Sequence, residues 1–166
     1  MFDPEDEKVI AIIREKYEEQ VLLTEKLYDF LTVTLKKDKI IEVIQYLHDH
    51  EGTQYRFLTT LCGIHFPDLG QIAVMYQLHN LYNNTRIRLK IYLPQESPLA
   101  PTLTTVFPAA NWMERETFDF YGVVFEGHPD LRRILNVDEM IIFPMRKEYP
   151  LEDQTREDKS DEMFGR

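Results

Sequence analysis

The chain has 166 residues, 43% of them hydrophobic and 29% charged, with a formal net charge of −10; one domain of this size buries roughly 70% of its extended-chain surface, enough for its own core. So negative a balance excludes a nucleic-acid role, because phosphates require a basic footprint, and the single cysteine, Cys62, excludes an internal disulfide, a CxxC pair and a four-cysteine iron–sulfur site. No apolar run reaches the roughly 20 residues that span a bilayer, and the acidic start Met1-Phe2-Asp3-Pro4-Glu5-Asp6-Glu7 fits neither a secretory signal nor a transit peptide, which points to synthesis and residence in a bacterial cytoplasm.

Val9, Ile10, Ile12, Ile13 and Tyr17 form a helical apolar stripe flanked by Glu7, Lys8, Arg14 and Glu15, which predicts an opening surface helix. Over 29–35, Leu31, Val33 and Leu35 alternate with Thr32 and Thr34, the pattern of a half-buried strand. Ile40, Ile41, Val43, Ile44 and Leu47 return to the helical period up to Gly52, so an amphipathic helix lies there on a sheet. Residues 55–66 read as a strand in which Cys62 is a buried, inert thiol rather than a catalytic one. The turn Pro67-Asp68-Leu69-Gly70 leads into another strand carrying Ile72, Val74, Tyr76 and Leu78, and Asn83-Asn84 suits a primed hairpin turn. The next strand sets Ile87, Leu89, Ile91 and Leu93 on a core face and Arg86, Arg88, Lys90 and Tyr92 on the other. That second face is either solvated or a docking face for an acidic partner. Pro94, Pro98 and Pro101 then mark a linker.

Residues 112–135 pack charge, aromatic rings and turn residues most densely. Asn111 and Glu114 have the spacing of a helix N-cap and its reciprocal partner, so about three helical turns are expected from there. Arg115 and Asp119 sit four apart on one helical face, an attraction of about 0.2–0.5 kcal/mol when exposed. Gly122 suits the residue after the last turn, and Val123-Val124-Phe125 a short extended piece. Gly127-His128-Pro129 is a second corner, with Pro129 opening a further helix that has Asp130 at its positive end and Arg132 and Arg133 toward its negative end. Beyond it, 144–150 is extended and 152–166 is a mixed-charge tail that cannot fold alone. The expected fold is α+β, a single domain with a β-α-β-β-β antiparallel or mixed sheet and helices on one face, followed by the helical signature region and an extended C-terminal arm. Its parts are 1–95, 96–135 and 136–166.

Glu114, Glu116 and Asp119, with His128 as proton carrier, look first like acid–base machinery. Their spacing argues otherwise: Glu114 and Glu116 face different sides of a helix, and Arg115, Arg132 and Arg133 favour ionised carboxylates, so an ion-pair network is the better reading. His128 lacks a second His or Cys at ligand spacing, and no flavin, nucleotide or phosphate-loop motif is present. No cofactor or metal is expected on this chain.

The string E-R-E-T-F-D-F-Y-G-V-V-F-E-G-H-P-D-L-R-R-I-L, with FPAANW upstream and PMRKEYPL downstream, closely resembles the signature of the 30 kDa or C subunit family of respiratory complex I, the proton-pumping NADH:quinone oxidoreductase. The likeness extends more loosely back to about Leu31. It departs at Asp138-Glu139-Met140-Ile141-Ile142-Phe143, where many relatives carry a Gly- and His-bearing turn. The resemblance implies a non-catalytic component of the peripheral arm, packed chiefly against the quinone-site D subunit and near the cluster-bearing B and I subunits. FMN, iron–sulfur clusters and quinone would be held by other subunits, and the chain would reach the cytoplasmic side of the bacterial inner membrane only through the complex. It also implies partner-binding roles for Glu114, Arg115, Glu116, Asp119, His128, Pro129, Arg132, Arg133, Arg146, Lys147 and Tyr149, with 145–151 a strap laid over a neighbour. Reversing Arg132 or Arg133 to Glu would then impair assembly far more than folding. The same resemblance allows the equivalent subunit of a ferredoxin- or coenzyme F420-linked relative or of a membrane-bound hydrogenase. A free-standing acid–base enzyme is the reading from a different class.

Overall fold

In the computed structural model, which describes residues 2–149, Asp3 starts the first helix, α1 (Pro4–Tyr17), with a reciprocal cap. Its carboxylate accepts from the Asp6 backbone N–H at 2.8 Å, while the Asp6 carboxylate accepts from that of Asp3 at 3.3 Å. Pro4 takes the first helical position, where no donor is needed. There follows a hairpin of β1 (Val21–Leu27) and β2 (Phe30–Leu35), closed by Tyr28 and Asp29, both at positive φ of 49° and 65°. β1 is the strand that sequence patterning passes over, because neither Gly nor Asn marks its turn and it carries Thr24, Glu25 and Lys26 in succession.

The chain then runs through α2 (Ile40–Asp49) into an antiparallel meander of β3 (Phe57–Phe66), β4 (Gln71–Asn80) and β5 (Thr85–Pro94). β2 pairs with β5 in parallel, so the sheet order is β1-β2-β5-β4-β3. The expected β-α-β-β-β mixed sheet is therefore present, with β1 added at its edge. The β4–β5 turn differs from expectation: Asn80 pairs with Thr85 across a four-residue loop, and of its two asparagines only Asn84 has positive φ, at 58°. Asn80 organises the loop by accepting from the N–H groups of Tyr82 and Asn83.

Residues opposite one another on a ladder share a face. One face thus collects Leu31, Val33, Ile87, Leu89, Ile91, Val74, Tyr76 and Leu61, which are buried with Val9 and Ile13 of α1 and Ile40, Val43, Ile44 and Leu47 of α2. The four α2 side chains are 0% exposed, and burying each stabilises the fold by about 1.5–3 kcal/mol. The third helix, α3 (Ala110–Tyr121), lies along β3 on the same side, its Tyr121 ring so close to Gly63 that a Cβ there would come within 2.6 Å of it. Cys62 points the other way and is partly exposed rather than core. Burial, and secondarily the charge of Glu116, raise its thiol pKa. The segment expected to be a linker contributes β6 (Leu99–Pro101), which pairs in parallel with β7 (Val124–Glu126) in a small second sheet.

No helix follows Pro129: residues 127–149 run without helix or strand. The backbone groups that a helix there would need are taken by side chains of α3, as described next. The expected tail at 152–166 lies outside the described residues. Among the described residues no helix is long and apolar enough to cross a membrane.

Candidate functional site

Four charged or polar side chains of α3, Glu114, Arg115, Thr117 and Asp119, are buried. Glu114 does not cap the helix, which begins at Ala110 after Ala109 without a side-chain cap. It turns inward instead, and its carboxylate accepts from the Thr102 hydroxyl and the Leu103 N–H, both at 2.6 Å, pinning the chain just past β6. Burial pushes its pKa up to about 7 against the pull of those two donors. Burial first and the charge of Glu114 second also raise Tyr76, whose hydroxyl is buried without a partner among the described residues.

His128 lies beside Glu114 with Nε2 4.0 Å from a carboxylate oxygen, both side chains 0% exposed. Its Nδ1 accepts from the Asp130 N–H at 3.0 Å, which leaves the ring proton on Nε2, directed at the Asn111 carbonyl 3.2 Å away.

Asp119 is the centre of the arm that follows. Its carboxylate accepts from the backbone N–H groups of Ile134, Leu135 and Asn136 at 3.1, 2.8 and 2.9 Å, from the Asn136 amide at 3.0 Å and from Arg133 at 2.6 Å. Burial alone would raise its pKa; the donors from Asn136, Leu135 and Arg133 outweigh burial and hold it well below the usual carboxylate range. Arg133 also donates to the carbonyls of Asp119, Met140 and Ile142 and lies 5.3 Å from the Phe143 ring centre. Arg115 does not pair with Asp119. It donates to the carbonyls of Arg132 and Arg133 and lies 5.1 Å from the Trp112 ring centre. With the 132 and 133 carbonyls and the 134–136 amides so engaged, those amides do not donate to the 130–132 carbonyls as a helical ladder after Pro129 would require.

The arm is then laced back to the body. Met145 N–H donates to the Phe120 carbonyl, Arg146 to that of Tyr121, and Lys147 N–H to Nδ1 of His65 at 2.9 Å. His65 in turn faces Gln95 at 2.9 Å, and Gln95 donates to Glu148. Gly122, at φ 76°, supports the Phe143 ring, which a Cβ would approach to 2.5 Å. Gly122→Ala is therefore expected to cost more than about 1 kcal/mol through the left-handed backbone and the displaced ring. Denaturant unfolding of the isolated chain checks this; an unchanged midpoint would show that the ring does not rest there.

The residues singled out from sequence as partner-binding thus divide. Glu114, Arg115, Asp119, His128 and Arg133 turn inward and are satisfied within the chain, Arg133 with its side chain 9% exposed. Glu116, Pro129, Arg132 and Lys147 are exposed, Arg132 pairing, among the described residues, only with nearby Asp130 at 2.9 Å; Arg146 and Tyr149 are partly covered. Sequence patterning missed an apolar set beside them: Trp112, Leu135, Val137, Ile141 and Met145 all face outward, Ile141 at 92% exposure. Leu135, Val137, Ile141 and Met145 were visible as apolar residues in a stretch without helical or strand period, and Trp112 as the chain's single tryptophan within the expected helix. Among the described residues no group of three or more His, Cys, Asp or Glu side chains is placed to hold a metal ion.

Comparison with known proteins agrees with this architecture. A family model described as the respiratory-chain NADH dehydrogenase 30 Kd subunit matches residues 33–155. An NADH-quinone oxidoreductase C subunit from Geobacter metallireducens is 36% identical over 157 residues, covering 92% of this chain and 94% of its own length. Its counterpart from Mycolicibacterium gilvum is 39% identical over 125 residues, covering 74% of this chain but 55% of its own length. The chain spans between about half and two thirds of several other relatives as well, at 58%, 63% and 60%. Among solved structures, a trypsin-resistant fragment of Nqo5 superposes with a TM-score of 0.62 at 28% identity, covering 75% of this chain and 99% of that one. A chain of an archaeal membrane-bound sulfane sulfur reductase reaches a TM-score of 0.75 over 90% of this chain and 87% of that one, at 23% identity a likeness of fold alone. A matched family model over most of the chain and relatives of this identity agree with the fold, and the chain belongs to the family of the 30 kDa subunit of respiratory-chain NADH dehydrogenase.

Proposed function

We propose that this chain is a non-catalytic structural component of the peripheral arm of a proton-pumping NADH:quinone oxidoreductase, binding no cofactor itself and supporting electron transfer from NADH to quinone through FMN and iron–sulfur clusters on other subunits. The observation that carries the reading is the division of charges around α3. The inward set is spent on holding residues 129–149 in one shape, and that shape displays Trp112, Leu135, Val137, Ile141 and Met145 to the outside. Large apolar side chains exposed beside charged ones mark a protein interface. The quinone-site D subunit is the chief partner in this reading, with the B and I subunits nearby, and the cytoplasmic side of the bacterial inner membrane is reached through them. The relative that matches nearly end to end is named as part of an NADH-quinone oxidoreductase, which favours NADH over ferredoxin or coenzyme F420 as donor. A free-standing acid–base enzyme is disfavoured because Glu114 and His128, its natural pair, are both 0% exposed and offer a substrate no access.

Native purification from membranes tests the proposal. The chain is expected to co-purify with further subunits and with NADH:quinone activity. A chain that elutes alone, or a complex reduced by ferredoxin or F420 and not by NADH, would reject it. The isolated chain is further expected to contain less than about 0.1 equivalent of iron or zinc, since its lone cysteine and dispersed histidines offer no cluster or haem site; stoichiometric metal by elemental analysis would contradict the scaffold role.

A further inference from the structure

β5 is the middle strand of the five, and its side turned away from the helices carries Arg86, Arg88, Lys90 and Tyr92 in a single row. The core of all three helices lies on the opposite face, so no helix among the described residues covers this one. Arg88 is held in position, donating to Gln77 at 3.1 Å with its guanidinium 4.0 Å from the Phe30 ring centre. Among the described residues none of the three cations is in an ion pair. Leu23, Met75 and Ile64 share the face through their ladder partners, Leu23 at 51% exposure.

We infer that this face docks an acidic amphipathic helix of another protein in the complex, its carboxylates meeting the β5 cations and its apolar residues meeting Leu23, Phe30, Ile64 and Met75. The charge argument is local against global. The chain as a whole carries −10 and repels anionic lipid or nucleic-acid surfaces, whereas a short acidic segment centred on β5 meets the three cations, with Glu25 the single carboxylate that the strand registers set on this face, two strands away beyond Thr32. A second copy of the chain is a poor occupant, because a two-fold contact would set the same cations against each other. The spacing favours a helix: side chains on one strand face repeat at about 6.6–6.8 Å, close to the rise of about 6 Å between every fourth residue of a helix. The apolar surroundings exclude water and strengthen the pairing.

The inference rests on the chain's membership of a complex and adds a second contact surface, on the face opposite the helices. Cys62 reports on it, being the chain's sole cysteine and set on this face opposite Met75, itself opposite Lys90. Alkylation of Cys62 by N-ethylmaleimide is expected to be at least about tenfold slower in the purified complex than in the isolated chain. Zero-length carbodiimide coupling of the complex is expected to join Lys90 to an Asp or Glu of a different protein in it. The double variant R86E/K90E should abolish that coupling while leaving the melting of the isolated chain unchanged. Equal alkylation rates in the two states would overturn the proposal. So would coupling of Lys90 only to carboxylates of its own chain or of a second copy, or binding of the isolated chain to vesicles of anionic lipid through this row. A chain that purifies without any other protein rejects the assembly reading itself; a complex in which Cys62 stays open rejects only this surface.

Discussion

Arg133→Glu is expected to lower the stability of the isolated chain by about 3–5 kcal/mol, the usual cost of leaving a buried charge without its partner, whereas Arg132→Glu, one residue earlier, is expected to stay within about 0.5 kcal/mol of the parent. The contrast follows from where the two side chains point. Arg133 is inserted between Asp119 and the carbonyls of Met140 and Ile142, so reversal sets two carboxylates together and strands three backbone groups. Arg132 lies outside with its side chain 69% exposed. Denaturant unfolding, with limited trypsin digestion to follow the arm, distinguishes them. Equal effects of the two reversals on the isolated chain would show that the Asp119 cluster does not hold the arm. This divides an expectation that grouped both arginines as interface residues: Arg132 retains that role in the proposal, and Arg133 acts one step removed, by shaping the surface.

Glu114→Gln is expected to change how stability depends on pH. A carboxyl whose folded pKa is about 7 against an ordinary 4.5 binds its proton more tightly in the folded state. Its contribution is fully present below pH about 4.5 and is lost as pH rises toward 7. Two and a half pKa steps correspond to roughly 3 kcal/mol over that window. Asp119 has the opposite sign: its pKa is depressed on folding, so its contribution is present above about pH 3.8 and is lost only in more acid solution. The two windows barely overlap. The change in unfolding free energy between pH 4.5 and 7.5 should therefore differ by about 3 kcal/mol between the Gln variant and the parent. A parent–variant difference that is constant across that range would mean that Glu114 titrates as a solvated carboxylate.

Periodicity made the first two helices and four of the five sheet strands legible through their buried apolar residues, as with Ile87 to Leu93 on β5. By contrast α3, whose buried side chains are mostly polar, was legible from its start and stop signals, Asn111 with Glu114 and Gly122. β1 escaped because its exposed Leu22 and Leu23 and polar centre carry no two-residue rhythm, and its turn relies on Tyr28 and Asp29 adopting positive φ without the usual Asn or Gly. The charged residues of 112–135 were legible as a network but not in their connections. Sequence spacing favours contacts within a helix, such as Arg115 with Asp119, whereas burial made longer-range partners more favourable: backbone amides for Asp119 and backbone carbonyls for Arg115. The same competition explains the missing helix after Pro129, where local start signals yield to side chains reaching across from α3.

The parallel pairing of β2 with β5 joins Leu31 to Ile87, 56 positions apart in the chain. At a ribosomal pace of roughly 5–20 residues per second, the β1–β2 hairpin is made about 3–11 seconds before its neighbouring strand exists. During that interval Leu31-Thr32-Val33-Thr34-Leu35 presents an unpaired edge rich in β-formers, the kind of segment that recruits other nascent chains. Lys36 and Lys37 directly follow it and act as electrostatic gatekeepers for the waiting strand. Once β5 is synthesised, the β3–β4–β5 meander can close through short turns, and the long loop closure that brings the two halves of the sheet together is the expected slow step of maturation.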